Sequence, residues 1–115
     1  MKTKIISVPL TEQANKALYF GQDVENDVTD VVLSQGEFDA LWRDGIWDKI
    51  NVNFNLWIDE YEDENISDLE NINRLIKYLE NVEVSDHPMA ISGLQKLFKQ
   101  LKVAAEKKTA VFFYF

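Results

Sequence analysis

The stretch Thr109-Ala110-Val111-Phe112-Phe113-Tyr114-Phe115 constrains the fold more than any other part of this chain. It carries no charged side chain and four aromatic rings in a row. Such a segment cannot stand in water as a tail, and predicts a strand docked in the interior of a sheet. Other strands are plain, although their pairing with it is not set by the sequence. Lys4-Ile5-Ile6-Ser7-Val8 reads as a strand ended by Pro9, which has no N–H to give a ladder. Thr29-Asp30-Val31-Val32-Leu33 reads as another. Asn51-Val52-Asn53-Phe54-Asn55-Leu56 alternates strictly and predicts the most regular strand of all. Val52, Phe54 and Leu56 would face a core and the three Asn would face water.

Between these runs the spacing turns helical. Thr11 to Phe20 fits a short helix, with Thr11 as N-cap and Gly21 at its end. Ser34-Gln35-Gly36-Glu37 has the capping-box spacing, and Phe38, Leu41 and Trp42 follow as an apolar stripe. Gly45 closes that helix, leaving Ile46, Trp47 and Ile50 to pack at its end. Ser67-Asp68-Leu69-Glu70 repeats the capping-box pattern, ahead of Leu69, Ile72, Leu75, Ile76 and Leu79. After the linker Ser85-Asp86-His87, Pro88 suits a first helical position. The last helix carries Leu94, Leu97, Phe98, Leu101, Ala104 and Ala105, with Lys96, Lys99, Lys102, Lys107 and Lys108 turned mostly outward. The expected architecture is a single α+β domain over residues 1–115. It has a small, mostly antiparallel sheet of about four strands with three main helices packed on one face.

Composition narrows the class. A 46% hydrophobic share excludes disorder, and the absence of Cys excludes disulfides, thiolate metal sites and thiol nucleophiles. The apolar run near Met1 stops at Pro9-Leu10, too short for a secretory h-region. No stretch approaches the roughly 20 apolar residues of a membrane span. A cytoplasmic protein is expected.

Charge is distributed unevenly. Fifteen of the twenty acidic residues lie between Gly21 and Glu70 against only Arg43 and Lys49, a local net of −13 within an overall −8. This balance disfavours nucleic acid and anionic membranes as partners, because both are bound by clustered Lys and Arg. The lysines of the last helix read as a solvated face that also suits the negative end of the helix dipole. The densest acidic run is Asp59-Glu60-Tyr61-Glu62-Asp63-Glu64, too repulsive to bury unpaired. It reads as a solvated loop, as a docking surface for a cationic protein, or as a carboxylate site. The last lacks the Gly and the alternate spacing of a calcium loop. As a docking surface it would be joined by Asp44, Trp47 and Asp48, with Trp57 a further aromatic anchor. His87, the single histidine, reads as a helix-boundary residue. No nucleophile elbow, Walker or dinucleotide glycine pattern is present, so no catalytic residue, metal or cofactor is assigned.

The acidic middle Leu56-Trp57-Ile58-Asp59-Glu60-Tyr61-Glu62-Asp63-Glu64 and the ending Thr109–Phe115 resemble, in general plan, the small acidic immunity proteins of bacterial toxin–immunity systems, including those of contact-dependent inhibition and polymorphic toxins. The resemblance implies a non-enzymatic inhibitor that binds and neutralises a basic, nuclease-type toxin domain. The alternative is a small regulatory or structural subunit that self-associates, as a homodimer, through an exposed strand edge.

Overall fold

A computed structural model describes residues 3–59 and 63–115. Four strands, β1 (Lys4–Pro9), β2 (Val28–Leu33), β3 (Glu64–Ile66) and β4 (Val111–Tyr114), form one sheet in the order β2-β1-β4-β3. Every neighbouring pair is antiparallel. The aromatic C-terminal strand is interior, as its composition requires. Among the described residues five helices accompany the sheet: α1 (Glu12–Tyr19), α2 (Gln35–Arg43), α3 (Ile46–Phe54), α4 (Leu69–Glu80) and α5 (Pro88–Lys107). The α+β class is as expected, with more helix than the sequence pattern forecast.

The two-residue period of the strands sorts side chains onto two faces. On one, Ile6 and Val8 of β1 and Val111 and Phe113 of β4 are fully buried, and Ile6 is paired with Phe113. α5 lies over this face, touching β1, β2 and β4. Its Gln100 Nε2 donates to the carbonyls of Ile6 at 2.8 Å and Thr29 at 3.0 Å, pinning helix to sheet. The centre of the core is aromatic. Trp47 stands 5.4 Å from Phe115, 5.8 Å from Phe38 and 6.2 Å from Phe113, centroid to centroid. These spacings suit tilted and edge-to-face rings. The indole Nε1 also donates to Phe38 O at 3.2 Å, so the buried polar atom is satisfied.

Helix ends follow the sequence signals closely, with one revision. Thr11 Oγ1 accepts from the Ala14 N–H at the start of α1. Ser34 and Glu37 form the full capping box of α2. His87 caps α5, its Nδ1 accepting from the Met89 N–H, with Pro88 in the first turn. At α4 the cap is Asp68, whose carboxylate accepts from the Glu70 N–H, and not Ser67. Ser67 instead donates to Asn65 Oδ1 across the turn from β3.

The strand expected at 51–56 is absent. That segment is the second half of α3 and its exit. Ile46, Trp47 and Ile50 are fully buried and Phe54 packs against the core, an i, i+1, i+4, i+8 stripe that only a helix aligns. Val52, assigned to the core by the alternation, is 75% exposed. The three Asn have helical duties. Asn51 clamps the backbone of Ile58, donating to its O at 3.0 Å and accepting from its N at 2.8 Å. Asn53 donates back to Lys49 O, and Asn55 ends the helix in the left-handed conformation at φ 56°. The fourth strand is β3, on the far side of the acidic segment.

α1 stands apart from the three main helices expected on one face. Its C-terminal residues and the loop after Gly21 lie over the side of the sheet that α5 does not cover. Among the described residues, no helix is long and apolar enough to cross a membrane.

Candidate functional site

The second face of the sheet is open. Along it Ile5 and Ser7 of β1 pair with Val32 and Asp30 of β2 on one side, and with Tyr114 and Phe112 of β4 on the other. Asn65 of β3 continues the row beside Phe112. Leu18 and Tyr19 of α1 and the residues Gly21–Val24 form one wall, and Asp63 and Glu64 lie at the other end. Together they enclose a groove of about 540 Å³. This is within the usual range for a binding cleft.

The chemistry of the groove is one-sided. Asp23, Asp30, Asp63 and Glu64 line it, and among the described residues no Lys, Arg or His does. Ser7, nearly buried at the floor, donates its hydroxyl to Asp30 Oδ1 at 2.5 Å and so fixes that carboxylate across the β1–β2 pair. Glu64 is held by backbone donors, Oε2 by the Trp57 N–H and Oε1 by its neighbour Asn65 N–H. The rings of Phe112 and Tyr114, neighbours on one side of β4, stack at 11° with centroids 6.2 Å apart, and Phe112 is buried. Burial raises the Tyr114 hydroxyl above its ordinary pKa, and the negative charges of Asp63 and Asp30 raise it further. The phenol is therefore a neutral donor beside two carboxylates.

One exposed aromatic, Tyr19, lines the site, and two others are linked to its lining residues. Tyr19 is 62% exposed and meets Phe20 edge-to-face at 5.5 Å, with Phe20 still more open to solvent. Trp57, whose backbone is tied to Glu64, is 72% exposed. Among the described residues no three His, Asp or Glu side chains converge as a metal ion would require, so the carboxylates are spread along the walls.

The candidates read from the sequence are thus divided. Asp63 and Glu64 border the groove, and Asp59 is half-buried beside Trp57 in the chain. Glu60, Tyr61 and Glu62 lie outside the described residues. Trp47 is no surface anchor: it is a core residue, and Trp57 is the exposed indole. Asp44 is the C-cap of α2, and its Oδ2 accepts from both the N–H and the hydroxyl of Ser85 at 2.8 and 3.0 Å, a tie from the end of α2 to the linker before α5. Asp48 is exposed in the first turn of α3, within the helical layer. Asp23, Asp30, Tyr19 and Tyr114 were not legible as site residues. The one sequence signal was a polar residue inside each of two apolar strands, Ser7 and Asp30, and only the register shows that they meet.

A second charged cluster is structural. Glu37 is buried where α2 meets α5. It accepts from the Ser34 N–H at 2.8 Å, from Lys96 Nζ at 2.8 Å and from the Ser92 hydroxyl. Burial opposes its ionisation, but the hydrogen bonds from Lys96, Ser92 and Ser34 and the Lys96 charge outweigh it and hold the carboxyl at about 2.

No protein-family model, no curated protein and no solved structure matches this chain.

Proposed function

We propose that this protein is a non-enzymatic binding module of the immunity or inhibitor kind, which docks a basic protein on the open face of its sheet. The observation that carries the reading is the groove itself, lined by four carboxylates and, among the described residues, by no cation, with the exposed Tyr19 in its wall and Phe20 edge-on to that ring. An acidic concave surface bordered by aromatics supplies steering through its charge and anchoring through its rings. A nuclease-type toxin domain is the partner class that fits best. Its cleft must be basic to hold a phosphate backbone, and an acidic face can occupy that path. Residence in the cytoplasm, where such a domain acts, belongs to the same proposal.

The test is binding to, and inhibition of, the product of the neighbouring upstream gene, measured in rising salt. Tight binding that weakens steeply with salt, together with loss of nuclease activity, is expected. Absence of binding, or binding indifferent to salt, contradicts the reading.

Self-association through β2 is the second reading, favoured by the half-exposed Val32 on that edge strand. Two of the strand's carbonyls are already engaged by α5, Val32 O by Lys96 and Thr29 O by Gln100. A bound lysine on an edge is a common guard against pairing. A mass that rises with concentration, with no heterologous partner, would favour this reading instead.

A further inference from the structure

We infer that His87 is a pH-sensitive latch on the N-terminal turn of α5, closed by the neutral imidazole and opened when the ring takes up a proton. The latch belongs to the helical layer and stands whether or not a basic protein docks on the sheet. A helix leaves its first N–H groups without partners in its own ladder. In α5 Pro88 has no N–H to offer, and Ala90 and Ile91 both donate to His87 O, at 3.0 and 3.2 Å. That leaves the Met89 N–H, and His87 Nδ1 accepts it at 3.1 Å. One residue thus serves each free donor of the turn.

The usual capping residues accept through an oxygen, which keeps its lone pairs across the neutral pH range. An imidazole does not. Accepting at Nδ1 requires the neutral ring with its proton on Nε2, and protonation of Nδ1 turns the acceptor into a donor. The charged ring would then stand at the positive end of a 20-residue helix dipole. Histidine is the side chain whose ordinary titration falls between about pH 5 and 8, and His87 is exposed and the single histidine of the chain. The neighbouring elements carry Glu37, Asp39, Arg43 and Asp44 on α2, Lys77 and Glu80 in the last turn of α4, and Glu83 and Asp86 in the linker. Among these, Asp86, next in the chain, and Asp44, tied to Ser85, offer the charged ring a partner away from the cap.

The opening has a limit further along the helix. Met89 meets α2 through the Ser34 hydroxyl, which donates to its Sδ at 4.0 Å. Beyond it, Ser92 and Lys96 both donate to Glu37. That carboxyl titrates at about 2, so the second tie holds throughout the range in which an imidazole titrates. Only the turn from Pro88 to Ile91 is released.

The experiment is NMR of the nitrogen-labelled full chain between about pH 8 and pH 5, reading the His87 ring nitrogens and the backbone amides together. At the upper pH Nδ1 should resonate as the unprotonated nitrogen and Nε2 as the N–H. As the ring titrates, the Met89 amide should shift with the same midpoint. Its protection from exchange, corrected for the intrinsic pH dependence, should fall about fivefold, the order of one lost cap. Amides from Ser92 onward should stay unchanged. His87→Asn, which caps through an oxygen at every pH in the range, should leave the Met89 amide flat. A neutral ring protonated on Nδ1, or a Met89 amide that does not follow the imidazole, overturns the latch. An equal response in His87→Asn also overturns it, because the titrating group would then be a neighbouring carboxylate.

Discussion

Lys96 Nζ donates to Glu37 Oε1 at 2.8 Å, joining α5 to the first turn of α2 over 59 residues of chain. The same carboxylate closes the α2 capping box and accepts from Ser92, so one buried group ties two helices through three contacts. Because its pKa falls from 4.5 to about 2 on folding, it stabilises the protein fully above pH 4.5, and that contribution is lost as pH falls towards 2. Glu37→Gln should therefore cost about 2–4 kcal/mol at neutral pH. The gap between variant and wild type in denaturant unfolding should close as pH approaches 2. A gap independent of pH would contradict the assignment.

Trp47 and Trp57 make opposite predictions. Trp47→Ala removes a fully buried ring from contact with Phe38, Phe113 and Phe115, and should cost about 3–5 kcal/mol. Trp57→Ala should change stability by less than about 0.5 kcal/mol, since the ring is largely in water. Thermal or urea unfolding of the two variants distinguishes them. Loss of partner binding is expected for Trp57→Ala alone at intact stability.

The exit of α3 is tested at Asn55, which sits at φ 56°. Asn55→Gly should leave stability within about 0.5 kcal/mol of wild type, because Gly adopts this conformation freely. Asn55→Val should cost at least about 1 kcal/mol, since a β-branched side chain clashes there. In a strand the order would be reversed, with Val the better residue. Chemical unfolding of both variants decides between the two.

Tyr114 reports on its neighbours. Its ionisation, followed by phenolate absorbance, should occur above the ordinary 10.0, and Asp30→Asn or Asp63→Asn should move it back down. A folded-state pKa above the unfolded one means that stability is present below pH 10 and is lost as pH rises through the folded value. An unchanged Tyr114 titration in both variants would place the carboxylates too far away to matter.

Much of the fold is written locally. Thr11, Ser34 and Pro88 marked helix starts, and the aromatic run at 111–114 announced an interior strand, because capping and burial are decided by neighbours in sequence. Asn51–Leu56 misled for a physical reason. Six alternating residues fit a strand, yet the stripe Ile46, Trp47, Ile50, Phe54 spans the longer window and buries an indole, which outweighs the short pattern. The groove was hidden differently. Its residues come from all four strands, from α1, from the Gly21–Val24 loop and from Asp63, and only the register Asp30–Ser7–Phe112–Asn65 brings the strands' share together. The tight acidic run gave the sign of the surface and one end of it, Asp63 and Glu64, but neither its floor nor its shape.

The most direct test of the open face as the docking surface is a charge-matched comparison of affinity for the basic partner at low and high salt. One variant, Asp23→Asn with Asp30→Asn, removes two charges from the groove. The other, Asp48→Asn with Glu83→Gln, removes two exposed charges from α3 and the α4–α5 linker. Loss of about tenfold or more in affinity at low salt, with a shallower salt slope, is expected for the groove variant alone. Equal losses in the two variants, or a loss confined to the second, would contradict the open-face assignment.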